Sequence, residues 1–149
     1  MHLIDLLTPD DIVFGIRGAD IGAAAASLLR TTLPGRGIDA AEVERLVQAV
    51  LARERETPTL CGAIAIPHAR DAKVPEFIVA IGINPDGVVE GAGAPRVMIA
   101  FLSPESRRAE HLDLLARLAR LSRDQEAISA MAGAGRAGEV LEIIRDRAR

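Results

Sequence analysis

Apolar residues change their spacing twice along this chain, and each change marks a change of structure. From 19 to 33, ADIGAAAASLLRTTL places Ile21, Ala24, Ala25, Leu28 and Leu29 on one face, the stripe of an amphipathic helix. Asp20 stands where a cap belongs, and Pro34-Gly35-Arg36-Gly37 stops the helix. Asp39 opens a second helix through about Arg55, with Val43, Leu46, Val47, Val50 and Leu51 inward and Glu42, Glu44, Arg45 and Arg53 outward. Ahead of both, HLIDLLTPDDIVFGI holds two short apolar runs split by Thr8-Pro9-Asp10-Asp11. Thr8 with Pro9 suits a capped helical turn, and a strand at 12–16 fits the same stretch equally well.

In the middle of the chain the helical spacing gives way to short runs rich in β-branched residues. Residues 64–66, 77–83 (FIVAIGI) and 97–102 (VMIAFL) read as strands bounded by Pro, Gly and Asp. Pro85-Asp86-Gly87 is a turn in which Gly87 supplies a positive φ. Helical spacing then returns over 107–120, with Leu112, Leu115, Leu118 and Ala119 on one stripe, over 124–131, and in the closing GEVLEIIRDRAR. Residues 133–138 form a small hinge, too short to link domains. Helices, then strands, then helices predict an α+β or mixed α/β fold with helices covering a sheet. With 149 residues and no internal repeat, one domain over 1–149 is expected.

Composition narrows the function more than the fold. Apolar residues make up 49% and charged residues 26%, with three Phe and neither Tyr nor Trp, so Ala, Leu, Ile and Val must build the core. A chain without aromatic platforms and with net charge −3 is not expected to bind nucleic acid. No run approaches the ~20 apolar residues that span a bilayer, so no membrane insertion is expected. The acids of MHLIDLLTPDD are unlike a secretory leader, which makes the cytoplasm the expected compartment. Cys61 stands alone, excluding an intrachain disulfide and a multi-cysteine metal site. There is no Walker loop and no GxGxxG, and no cofactor is expected.

Candidate chemistry gathers around AIAIPHAR, residues 63–70. An apolar strand runs into Pro67, which cannot donate to a sheet ladder, and His68 follows at the strand's exit. A second imidazole, His111, lies in the first turns of the helix AEHLDLLARLARL. Strand exits and helix starts converge at the rim of an open α/β sheet. A neutral imidazole is a nucleophile at neutral pH, and a second imidazole with a guanidinium would steady a transferred phosphoryl group. Two other arrangements share these residues: a zinc site from Cys61, His68 and His111, and a Cys61–His68 nucleophile pair. Neither has a compact, diagnostic spacing.

RERETPTLCGAIAIPHAR resembles the active-site segment of enzyme IIA domains of the bacterial phosphoenolpyruvate-dependent phosphotransferase system, in the fructose–mannitol (type 2) class. The family shows Arg-Glu, then a Pro/Ser-Thr pair, then an apolar strand ending in Pro-His. Arg53-Glu54, Pro58-Thr59 and Ile64-Ala65-Ile66-Pro67-His68 supply these in order. HLDLLARLA, from His111, is similar to the helix carrying the family's second active-site histidine, and LIDLLTPDDI is similar to the start of the nitrogen-regulatory branch. The resemblance implies an α/β fold, a mixed β-sheet sandwiched between helices, and a phosphotransferase-system component, a transferase, in which His68 accepts a phosphoryl group. His111 and Arg53 would assist it, and Thr59 would line the site. It implies two kinds of partner: a small histidine-phosphorylated carrier protein as donor, and a IIB-type domain or a regulatory target as recipient. Sugar transport and nitrogen-type regulation share this chemistry, with the opening residues favouring regulation. The alternative is a degenerate IIA-like interaction module that is not phosphorylated. The chain departs from the family pattern in a 59–68 segment one residue shorter, with Leu60-Cys61-Gly62-Ala63 where members are often Gly-rich.

Overall fold

Three aspartates start three of the helices. The computed structural model describes residues 1–148, with helices α1 (Ile21–Thr32), α2 (Ala40–Glu56), α3 (Arg108–Leu121), α4 (Gln125–Ala132) and α5 (Ala137–Arg147). Asp20, Asp39 and Asp124 accept from the backbone N–H groups of Ala23, Glu42 and Ala127 at 2.7, 2.9 and 3.1 Å, satisfying amides that the first helical turn leaves open. Thr8 and Pro9 begin a short 3₁₀ turn, Pro9–Asp11, which passes directly into a strand, so both readings of that segment hold.

The strands are β1 (Ile12–Phe14), β2 (Leu60–Cys61), β3 (Ile64–Ala65), β4 (His68–Asp71), β5 (Ile78–Ile83) and β6 (Val97–Pro104). They form one mixed sheet in the order β1-β5-β6-β3-β2, with β4 also on β6. The antiparallel β5–β6 pair is the spine, in register from Ile78↔Leu102 to Ile83↔Val97. All eight residues of β6 are buried, as a central strand covered on both faces requires.

Alternation along the spine sorts residues by size. Val79, Ile81, Ile83, Val97, Ile99 and Phe101 pack with Leu114 and Leu118 of α3, Ile128 and Met131 of α4, and Val140 and Ile144 of α5. Ala80, Met98, Ala100 and Leu102 face the other way, toward Ala24, Ala25 and Leu28 of α1 and Val43, Leu46, Val47 and Val50 of α2. The Ala-rich α1 therefore lies against a sheet face that is itself Ala- and Gly-rich. A Cβ on Gly82 would come within 2.7 Å of Ile16 Cγ2 and 3.4 Å of Leu28, which shows how close that layer sits. The result is the expected mixed sheet sandwiched between helices.

One expectation needs correcting where it matters. The strand expected at 64–66 ends at Ala65. Leu60–Cys61 and Ile64–Ala65 form a small hairpin, and the chain re-enters the sheet at His68. His68 thus opens a strand where it was expected to leave one. Pro67 has no N–H for the ladder, but its carbonyl accepts from Phe101 N–H at 3.0 Å, and the long β6 lets parallel pairing resume at once. Gly87 has a φ of 103°, as its turn requires.

Candidate functional site

The last turn of α2 begins the site. Its C-terminal end carries Arg53 and Glu54 in opposite duties. Glu54 reaches forward and accepts from both the backbone N–H (3.1 Å) and the hydroxyl (2.5 Å) of Thr59, clasping the turn that leads into β2. The Thr59 carbonyl in turn accepts from Ile66 N–H at 3.0 Å, which ties the approach to Pro67-His68 back to the helix end. Arg53 donates to the Thr57 carbonyl at 3.2 Å and lines a cleft of about 340 Å³ with His68.

His68 and Arg70 share one side of β4, two residues apart, while Ala69 packs into the core beneath α1 and α2. Register sets His68 opposite Phe101 of β6, and the two rings stack at 5.0 Å with planes 8° apart. His111 leans on the same Phe101 from α3, its ring centroid 5.3 Å from that of Phe101 and 5.4 Å from that of His68. Each imidazole is only 6% exposed. The two expected histidines therefore converge on one aromatic floor.

Hydrogen bonds distinguish the two rings. His68 Nδ1 lies 2.7 Å from the Ile66 carbonyl, an acceptor only, so Nδ1 carries the proton and Nε2 keeps the lone pair. His111 Nδ1 lies 2.6 Å from the Ser103 hydroxyl. Burial lowers the His68 pKa below its ordinary value, and Arg53 adds to this, against opposing effects of the Ile66 hydrogen bond and Glu54. The His111 pKa is lowered to about 4, first by burial, with the charges of His68, Arg70, Arg53 and Arg108 acting in the same direction. Both rings are neutral at neutral pH. A neutral nitrogen nucleophile beside fixed guanidinium groups suits attack on an anionic phosphorus centre.

Of the four residues named from sequence, His68 and Arg53 line this cleft, and His111 is placed beside them by its ring contact with His68 rather than by lining the cleft. Thr59 stands behind it, its hydroxyl committed to Glu54 and its side chain absent from the cleft lining. Several neighbours escaped the sequence reading: Arg70, Glu56 and Glu105 in the cleft wall, Phe101 beneath the rings, and Ser103 behind His111. Arg70 was recoverable from strand alternation once His68 was placed on a strand. Ser103 is a polar residue at the end of an apolar run, and Phe101 left no signal beyond its aromaticity. Cys61 lies 3.6 Å from the Ser122 hydroxyl instead of in the cleft. Among the described residues no three His, Cys, Asp or Glu side chains are grouped to hold a metal ion.

The fold is an α/β sandwich with two histidines meeting beside one strand of its sheet, and the comparisons identify the family. The family model for the phosphoenolpyruvate-dependent sugar phosphotransferase system, EIIA 2, matches residues 32–147, and the chain belongs to that family. Its general role is that of a phosphocarrier component of the phosphotransferase system. Among solved structures it resembles nitrogen regulatory protein IIA-Ntr from Neisseria meningitidis at 24% identity, TM-score 0.77, covering 95% of this chain and 98% of that one. It resembles IIA mannitol from Escherichia coli at 26% identity, TM-score 0.75, covering 93% and 98%. A complex of enzyme IIA mannitol with phosphorylated enzyme IIB mannitol from Escherichia coli matches at 25% identity, TM-score 0.74, covering 95% and 98%. No helix among the described residues is long and apolar enough to cross a membrane.

Proposed function

We propose that His68 Nε2 is the phosphoryl acceptor. The observation that carries this reading is the Nδ1 contact to the Ile66 carbonyl, which leaves Nε2 as the free lone pair of a ring lining an arginine-walled cleft. The Nε2 lone pair attacks phosphorus, the donor's N–P bond breaks, and its electrons return to the donor's imidazole nitrogen. The His68 Nδ1 proton stays on the ring against Ile66, so onward transfer releases a neutral imidazole, a good leaving group. Arg53 would hold the equatorial oxygens by charge-assisted hydrogen bonds, and His111 would add a neutral donor. Thr59 would act at one remove, by fixing the turn that presents the strand.

The donor is a small histidine-phosphorylated carrier protein. A IIB-type recipient is supported by the IIA–IIB mannitol complex among the similar structures. The opening LIDLLTPDDI supports a second kind of recipient, a regulatory target in the nitrogen-type branch, over a sugar relay. Such a relay belongs in the cytoplasm, where phosphoenolpyruvate is made. Phosphorylation of the intact protein with phosphoenolpyruvate, the relay's first enzyme and a cognate carrier tests the assignment. We expect an acid-labile, base-stable label that His68→Ala abolishes. Undiminished labelling of that variant would overturn it and favour another acceptor.

A further inference from the structure

Ser103 is a polar residue in a strand that otherwise reads Val-Met-Ile-Ala-Phe-Leu before Pro104, and it is completely buried. Among the described residues its hydroxyl has one hydrogen-bond partner, His111 Nδ1 at 2.6 Å. A hydroxyl has a single proton to donate, and buried donors are paired. Nδ1 is the acceptor within reach, so the ring proton of a neutral His111 sits on Nε2. The low pKa of His111, caused first by burial, keeps the ring in that neutral form.

The two imidazoles are thereby held in opposite tautomers by opposite kinds of partner. A carbonyl, which only accepts, makes His68 a lone-pair donor at Nε2; a buried hydroxyl with Nδ1 as its one partner pairs its proton by donating there, which makes His111 an N–H donor at Nε2. We propose that Ser103 is a positioning residue that locks His111 as its Nε2–H tautomer, so that His111 donates a hydrogen bond to the phosphoryl group on His68 and offers no competing lone pair at that nitrogen. This rests on the reading of His68 as the acceptor. Ser103 itself, fully buried and hydrogen-bonded, takes no phosphoryl group.

The assignment explains why two similar rings, each 6% exposed and sharing Phe101, would take unequal roles. Their exposure does not separate them; His68 lies parallel to Phe101 and His111 is tilted by 53°, but only their Nδ1 partners set which ring nitrogen carries the proton.

A ¹⁵N-labelled sample near neutral pH tests the proposal through long-range ¹H–¹⁵N imidazole correlations. The parent is expected to show His111 protonated at Nε2 and His68 at Nδ1. A folded Ser103→Ala protein should show mixed His111 tautomers and accept label about three- to tenfold more slowly, the scale of one lost neutral hydrogen bond. Ser103→Thr keeps the hydroxyl and should restore both signals, with a rate within about twofold of the parent. A parent His111 protonated at Nδ1 overturns the proposal, as does a Ser103→Ala protein with unchanged tautomer and rate. If Ser103→Ala does not fold, the parent spectrum and the Thr variant decide. A parent that takes no label on His68 overturns the carrier reading instead, and the spectrum alone then decides the tautomer.

Discussion

Arg53 and Arg55 lie two positions apart at the same helix end, carry the same charge, and face different clefts. Two residues advance an α-helix by roughly 200°, so the pair diverges. Arg53 joins His68, Arg70 and Glu105 around the candidate site, whereas Arg55 joins Asp20, Ile21 and Leu51 between α1 and α2. A guanidinium that bonds the phosphoryl oxygens contributes charge-assisted hydrogen bonds of about 1.5–3 kcal/mol. Arg53→Gln is therefore expected to slow phosphoryl acceptance by about tenfold or more, and Arg55→Gln to change it little. Rates of label uptake decide this. Equal losses would mean that the two arginines act only through the general field around the protein.

At the scale of elements, the site depends on how α2 hands the chain to β4. Two clasps do this. Glu54 takes both Thr59 donors, and Arg45 makes a bidentate pair with Asp71 at 2.7 and 2.9 Å, pinning the far end of β4 to the same helix. Among the described residues β4 pairs only with β6, so these side chains supply the anchoring that a second neighbouring strand would otherwise give. Glu54→Ala and Thr59→Val are each expected to destabilise by about 1–3 kcal/mol. Because both remove the same contact, the double variant should fall short of their sum by about 0.5 kcal/mol or more, measured by urea unfolding. Strict additivity would show that Glu54 and Thr59 act independently.

For the molecule as a whole, two buried neutral imidazoles make stability depend on pH. The unfolded chain binds their protons near pH 6.5, while the folded protein binds them lower, at about 4 for His111. Unfolded molecules therefore hold more protons in that interval. The associated stability is intact above about 6.5 and is lost as pH falls toward 4. Paired carboxylates such as Asp71, held low first by its hydrogen bonds from Arg45, extend the loss to more acidic pH. The urea midpoint should drop between pH 7 and 5, and His111→Gln should flatten that slope. An unchanged slope in the variant would place the titration elsewhere.

The helices, two of their caps and the core faces of α1 and α2 were legible in the chain because they depend on neighbours within a turn. In α3, by contrast, Leu112, expected inward, is exposed and Leu114 and Leu121 are buried instead, because the sheet face it packs on sets the stripe. Asp20 and Asp39 cap through amides three residues on, and the stripes of α1 and α2 follow from spacing alone. His68, His111 and Arg53 were legible as candidates because imidazoles are few and the motif around them is compact. Tertiary structure decided the rest. That His68 opens a strand depends on β6 being long enough to pair past a proline. That His68 and His111 share a floor depends on the register setting Phe101 beside one and α3 lowering the other onto it. Arg70 joins the cleft through strand alternation, and Ser103 meets His111 through the packing of a helix on a sheet. A ring's tautomer is set by whichever atom lies within 3 Å of its nitrogen. Local sequence does not specify that atom, because it belongs to another element brought there by the fold.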